Sequence, residues 1–185
     1  MADVARQTAT YEDLCALPEN MVGEIIDGEL IATPRPSYRH GNAAFQLGEL
    51  RDPYQHGRGG PGGWWILSEP EIHLGEHVLV PDLAAWRRDR MPTLPGGNWT
   101  EIPPDWVCEV LSPSTFRLDR VRKMPIYAQF GVPHVWMVDP TNRVLEVFRL
   151  DSGTWRLLSS YAENDKVRAE PFQEVEIELR HLWGD

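Results

Sequence analysis

The order of elements in this sequence predicts an α/β (α+β) chain, a mixed central β-sheet flanked by helices. Three observations carry that expectation. A hairpin and a helix are followed by several strands, a second major helix and more strands. Two of the strand runs are apolar throughout except for one acid each. Glycine and proline clusters punctuate the chain at the boundaries between runs.

After a loose extension over residues 1–10, the segment 11–17 can form a short helix, closed by Pro18-Glu19-Asn20. Residues 24–31 are two apolar runs around Asp27-Gly28, the strongest short hairpin signal. Pro36-Ser37 opens a helix in which Ala43, Ala44, Leu47, Leu50 and Tyr54 recur on one face. It dissolves in the glycine-rich stretch 56–63. That stretch lacks the Gly-Lys-Ser/Thr ending of a phosphate-cradling loop.

Strands are expected at 64–68, 70–74 and 78–86, then, beyond a loop at 87–104, at 106–111. Ser112-Pro113-Ser114-Thr115 supplies helix-start chemistry for a helix over 116–130, stopped by Gly131 and Pro133. Pro125 inside it must either kink the helix or fall at a restart. Strands near 135–138, 144–149, 155–161 and 175–179 complete the chain, with turns at 139–142 and 151–153.

Length and composition fit one domain over 1–185 of ordinary globular type. No run approaches the roughly 18 apolar residues of a membrane span, and the N-terminus has no signal-like apolar region. These features predict no membrane partner and a cytoplasmic address. Cys15 and Cys108 give no metal pattern and read as two small buried hydrophobes. The formal net charge of −10 argues against a protein that coats nucleic acid through a broad basic surface.

The candidate site starts from Asp82 and Glu109, each the lone acid of an apolar strand. Burying an isolated carboxylate costs several kcal/mol unless it is paired, hydrogen-bonded or bound to a metal. If the two strands are neighbours, the acids can share a divalent cation, since Mg²⁺ is typically held by one or two carboxylates with water and phosphate. The bland alternative is that each acid bonds a turn or an arginine at a strand end. Lys123 is one of only two lysines among 18 basic residues, so a compact point charge is wanted there. On a continuous helix it shares a face with Phe116, Tyr127 and Phe130, which puts its ammonium beside the core. Its partner is then Asp119, four residues earlier, or the sheet's carboxylates, or a phosphate. Glu24 in the hairpin and His40 at the start of the first long helix are weaker accessory candidates. His73 and His77 flank a turn and do not read as a zinc pair.

Taken together, Pro81-Asp82 followed by Glu109-Val110-Leu111 resembles the PD-(D/E)xK signature of restriction-endonuclease-like nucleases. Residues 24–30 (EIIDGEL), His40, Pro81-Asp82-Leu83, the run 107–115, Asp119, Lys123, Tyr127, Gly131-Val132-Pro133 and 135–139 are similar to the bacterial Uma-type restriction-endonuclease family. The likeness covers roughly residues 10 to 180. It implies a restriction-endonuclease-like mixed central sheet and Mg²⁺-dependent hydrolysis of DNA phosphodiesters, with Mn²⁺ able to substitute. Asp82 and Glu109 carry over as metal ligands and Glu24 as an accessory acid. The lysine expected two residues after the second acid is Leu111 here, and Lys123 on the following helix takes its place.

Arg87, Arg88, Arg90, Arg117, Arg120 and Arg122 lie near the site elements in sequence, as backbone contacts for DNA or as a solvated face. Cutting both strands of a duplex would take a homodimer, because one site cuts one strand. The rival expectation is a catalytically quiet nucleic-acid- or protein-binding module that keeps the nuclease fold, which the net charge favours.

Overall fold

The computed structural model describes residues 8–184. The expected elements are present, with their strands distributed over two mixed sheets. In the first sheet, β1 (Met21–Ile26) and β2 (Glu29–Pro34) form the expected hairpin. Its turn residues Asp27 and Gly28 have φ of 52° and 73°, as a tight two-residue hairpin turn demands. β4 (Glu71–Leu74), β5 (His77–Leu79) and β7 (Trp99–Thr100) complete the order β2-β1-β5-β4-β7. β7 lies in a segment expected to be loop throughout.

The second sheet has the order β11-β10-β9-β8-β6-β3. Its strands are β3 (Trp64–Ser68), β6 (Leu83–Arg87), β8 (Trp106–Val110), β9 (His134–Asp139), β10 (Val144–Asp151) and β11 (Thr154–Ala162). β8 and β9 run parallel and the other neighbours antiparallel. The single strand expected at 78–86 is therefore two strands in two sheets. Pro81 has no N–H to donate and fixes its φ, while the Val80 N–H is spent on the Glu24 carboxylate at 2.8 Å. The ladder stops there, and the chain crosses from one sheet to the other.

Alternation along β8 explains why this second sheet is central. Trp106, Cys108 and Val110 join one core with α2 (Tyr38–Leu47) and the C-terminal segment, through Ala43, Leu47, Phe172 and Trp183. Val107 faces the other core, with Ile26 and Leu79 of the first sheet and Met124 and Tyr127 of α3 (Met124–Gln129). β12 (Lys166–Val167) and β13 (Ile177–Glu178) form a small separate pair before a last 3₁₀ turn, Leu179–Leu182.

The first long helix departs from the expected regular form, and the second is irregular at Pro125 as expected. α2 is capped by Ser37 and ends at Leu47, after which the chain tightens into 3₁₀ and then widens into a π-helical turn through Gln55. The segment before α3 is also a π-helix, Leu118–Lys123, and Pro125 falls at the restart, in the first positions of α3. There its missing N–H has no partner to lose.

Of the N-terminal extension, residues 1–7 lie outside the described ones. Ala9 donates to the Gly28 carbonyl at 2.8 Å, and Thr10 caps α1 (Tyr11–Cys15) through a reciprocal capping box with Asp13. The expectation for the cysteines holds at Cys108, which is buried, and fails at Cys15, which is exposed because α1 buries none of its residues. Among the described residues no helix is long and apolar enough to cross a membrane.

Candidate active site

The register of the central sheet brings the two lone acids together. β6 pairs antiparallel with β8, Leu83 opposite Cys108. One step further along the same register, Asp82 lies opposite Glu109, on the face that Ala84 and Val107 share. Asp82 immediately precedes β6, at the point where the chain arrives from the other sheet. Its Oδ2 accepts from the Val110 N–H at 2.7 Å, and its Oδ1 bonds His40 Nε2 at 2.5 Å. His40 thus reaches the site from the first turn of α2.

Glu109 is 2% exposed. Its Oε1 takes the Tyr127 hydroxyl at 2.6 Å and the Lys123 ammonium at 2.8 Å. Lys123 Nζ also lies 2.9 Å from Glu24 Oε1 and 3.8 Å from Asp119 Oδ1. Of the alternatives for Lys123, the carboxylates of the two sheets are its near partners and Asp119 the distant one. All six candidate residues, Glu24, His40, Asp82, Glu109, Asp119 and Lys123, line one cleft of about 330 Å³.

The π-helix is what delivers Lys123. A strict α-helix would align it with Phe116, yet Phe116 is 43% exposed while Lys123 is 2% exposed. The wider turn rotates the upstream residues relative to the downstream ones, so Phe116 leaves the face while Tyr127 and Phe130 pack on the same core.

Burial and mutual repulsion shape the charges. Burial pushes Glu109 well above the usual carboxylate range; Lys123 opposes this, and Asp119, Asp82 and Glu24 add to it. Burial works against a charged Lys123, but Glu109 and Glu24 outweigh it and hold the ammonium protonated. Asp119 is pushed up to about 6 by burial, partly offset by Lys123 and a Thr115 hydrogen bond. Burial also works against His40, and its bond to Asp82 reverses the sign, leaving the imidazole above its ordinary value. The cleft is lined by five carboxylates, Glu24, Glu69, Asp82, Glu109 and Asp119, and three basic side chains, Arg35, His40 and Lys123.

Among the described residues no group of three or more His, Cys, Asp or Glu side chains is disposed to hold a metal ion. The oxygen donors Asp82 and Glu109, opposite each other beside an open cleft, instead suit a hard cation that keeps waters and substrate phosphate. They do not suit a four-coordinate zinc site. The histidines 73 and 77 serve elsewhere: His73 bonds Glu71 and stacks on Trp99, and His77 accepts from the Asp27 N–H.

The expected arginine set does not line the cleft. Arg120 pairs with Glu146, Arg122 with Glu29 and Asp27, and Arg90 with Asp105. Arg88 lies over the Trp65 ring, Arg87 pairs with Asp89, and Arg117 is exposed outside the lining. The arginine that does line it is Arg35, accompanied by the hydroxyls of Ser37, Ser112, Ser114 and Thr115. Arg35 was missed because it lies far in sequence from both acid strands. Tyr127 reads from sequence as a core-facing aromatic and as part of the family likeness, and neither reading gives its hydroxyl the bond to Glu109.

A mixed sheet with flanking helices and this pair of cross-strand acids defines a restriction-endonuclease-like α+β fold. The family model Uma2, described as "Putative restriction endonuclease", matches residues 8–180, and the chain belongs to that family. A crystal structure from Anabaena variabilis ATCC 29413, described as a "putative nuclease belonging to DUF820", shares the fold with a TM-score of 0.75. The two are 22% identical, over 95% of this chain and 97% of that one. No curated protein matches this chain.

Proposed function

We propose that this protein is a divalent-cation-dependent deoxyribonuclease whose site is Asp82, Glu109 and Lys123, with Glu24, His40 and Asp119 in support. The observation that carries the reading is the cross-strand placement of Asp82 against Glu109 in a cleft lined by five carboxylates. Asp82 and Glu109 would hold Mg²⁺, or Mn²⁺ in its place, which would polarise a phosphate oxygen and acidify a bound water.

The chain's own residues do the positioning. The Val110 N–H and His40 fix the two oxygens of Asp82. Tyr127 and Lys123 fix Glu109. Lys123 is too enclosed to stabilise charge by touching substrate; its ammonium orients Glu109 and Glu24 and holds the repelling acids together. Arg35 and the hydroxyls on the cleft wall are placed to meet phosphate oxygens.

Incubation of plasmid DNA and of circular single-stranded DNA with the protein and Mg²⁺ or Mn²⁺ tests the reading. Nicking is expected, and it is expected to vanish in Asp82→Asn and Glu109→Gln. Cleavage that persists undiminished in both variants would remove the site.

A quiet binding module is the second reading, and the enclosure of Lys123 favours it, because the cation is already consumed by Glu24 and Glu109. Cation binding by calorimetry at Asp82 and Glu109, with no cleavage of any DNA form, would decide for it.

A further inference from the structure

The outer face of α2 carries a surface that the acid site does not use. Tyr38 is 101% exposed and Phe45 is 78% exposed. Seven residues apart, they stand on one face of the helix, roughly two turns from each other. Between them, a Cβ added at Gly41 would meet nothing within 4 Å, and the same holds at Gly48, one turn past Phe45. Glycine is the poorest helix former after proline. Neither packing nor a positive φ calls for it at position 41. The opposite face, Ala43 and Leu47, is core. The exposed stripe therefore alternates flat rings with bare backbone.

Two further features say what lies on it. The N-terminal end of the stripe adjoins the cleft in sequence: Ser37, next to Tyr38, lines the cleft, while Tyr38 itself points outward. In a chain of formal charge −10, no acid occurs between Glu29 and Glu49, while Arg35 and Arg39 are both exposed. Among the described residues Arg35 makes no ion pair, and its guanidinium donates to the Glu19 carbonyl.

We propose that this face of α2 is the track by which a single strand of DNA enters the cleft. Its bases stack on Tyr38 and Phe45, and its phosphates meet Arg35 and Arg39. A duplex hides its base faces and is held mainly through many phosphate contacts, which two arginines on an acidic protein do not supply. An unpaired strand offers base faces to aromatic rings. The bare backbone at Gly41 leaves room for a ring plane between the two aromatics. The inference rests on the nuclease reading for the direction of the strand, and not for the stacking itself.

Fluorescence anisotropy of the full chain with labelled oligothymidylate, and with a labelled duplex of equal length, tests the track in EDTA, where no cleavage intervenes. Tighter binding of the single strand is expected, weakened about fivefold or more by Tyr38→Ala and by Phe45→Ala. Gly41→Leu is expected to weaken binding likewise while leaving the melting temperature unchanged or higher, which separates the effect from misfolding. Equal or tighter duplex binding that ignores these substitutions overturns the track, whether or not the protein cleaves. A dimer that dissociates in Tyr38→Ala and Phe45→Ala without any oligonucleotide binding also overturns it, in favour of a second copy of the chain. Single-strand binding of the expected kind with no cleavage in Mg²⁺ or Mn²⁺ supports the track and removes the nuclease reading instead.

Discussion

Lys123 is 3% exposed in its side chain and sits between Glu24 and Glu109, which are 5% and 2% exposed. Removing one partner of such a buried group strands the others, at a cost of about 3–5 kcal/mol. Lys123→Met is therefore expected to lower the unfolding free energy by that amount in urea titration, so a loss of activity in it is not diagnostic of catalysis. Glu109→Gln, which keeps a hydrogen-bonding side chain beside Tyr127, is the better probe. Asp119 gives a pH signature. Its folded value of about 6 lies above the ordinary 3.8, so the folded state binds the proton more tightly than the unfolded chain. Its contribution to stability is full below about pH 4 and is lost as pH rises through about 6. Urea unfolding across that range is expected to show the decline, and Asp119→Asn to flatten it. At this scale the convergence of Asp82, Glu109 and Lys123 on one cleft was legible, because charge in apolar surroundings is costly and so is informative. The Tyr127 hydroxyl was not, since an aromatic on a helix face is explained equally well by packing.

The elements fold where local chemistry directs them, but two are shaped by their neighbours. The β4–β5 turn places Gly75 at φ 62°, where an added Cβ would come within 2.9 Å of the Phe130 ring at the end of α3. Gly75→Ala combines that approach with a left-handed backbone, which alone costs about 1–2 kcal/mol. A drop of at least that size in denaturant stability is expected, with the turn pushed off the ring. The second case is the π-helix Leu118–Lys123. Helical spacing read from sequence assumes about 3.6 residues per turn, so the one wider turn misaligned Phe116 with Lys123. Pro125 announced an irregularity, and only the structure shows it resolved as a restart. The six arginines near the site elements were a similar case. Sequence proximity gave no information on direction, and most of them bind acids or rings on other faces.

Across the whole molecule, the junction between the two sheets is where the candidate site residues meet. Val80 and Pro81 carry the chain from the first sheet to the second, and Asp82 is the first residue on the far side. Glu24 comes from the first sheet, Asp82 and Glu109 from the second, Lys123 from the π-helix and His40 from α2. Because so many elements contribute charge, a bound cation should stabilise the entire fold. Mg²⁺ or Mn²⁺ at about 100 times its Kd is expected to add about 2.7 kcal/mol. Differential scanning calorimetry should register a higher Tm that EDTA reverses, and Asp82→Asn should abolish the shift. The effect should strengthen as pH rises, because the raised Glu109 carboxyl must lose its proton to bind metal.

By itself the sequence determined the element types, the hairpin turn at Asp27-Gly28, the two acids and the lysine, and the family to which the chain belongs. Each of these is written in local pattern: periodicity, turn residues, or a charge that its apolar neighbours cannot solvate. The tertiary structure decided that the strands divide into two sheets. It also decided that Asp82 falls opposite Glu109, that Glu24 and not Asp119 closes on Lys123, and that Arg35 is the arginine at the cleft. Those outcomes depend on register and on which faces meet, and register is set by contacts between segments far apart in the chain.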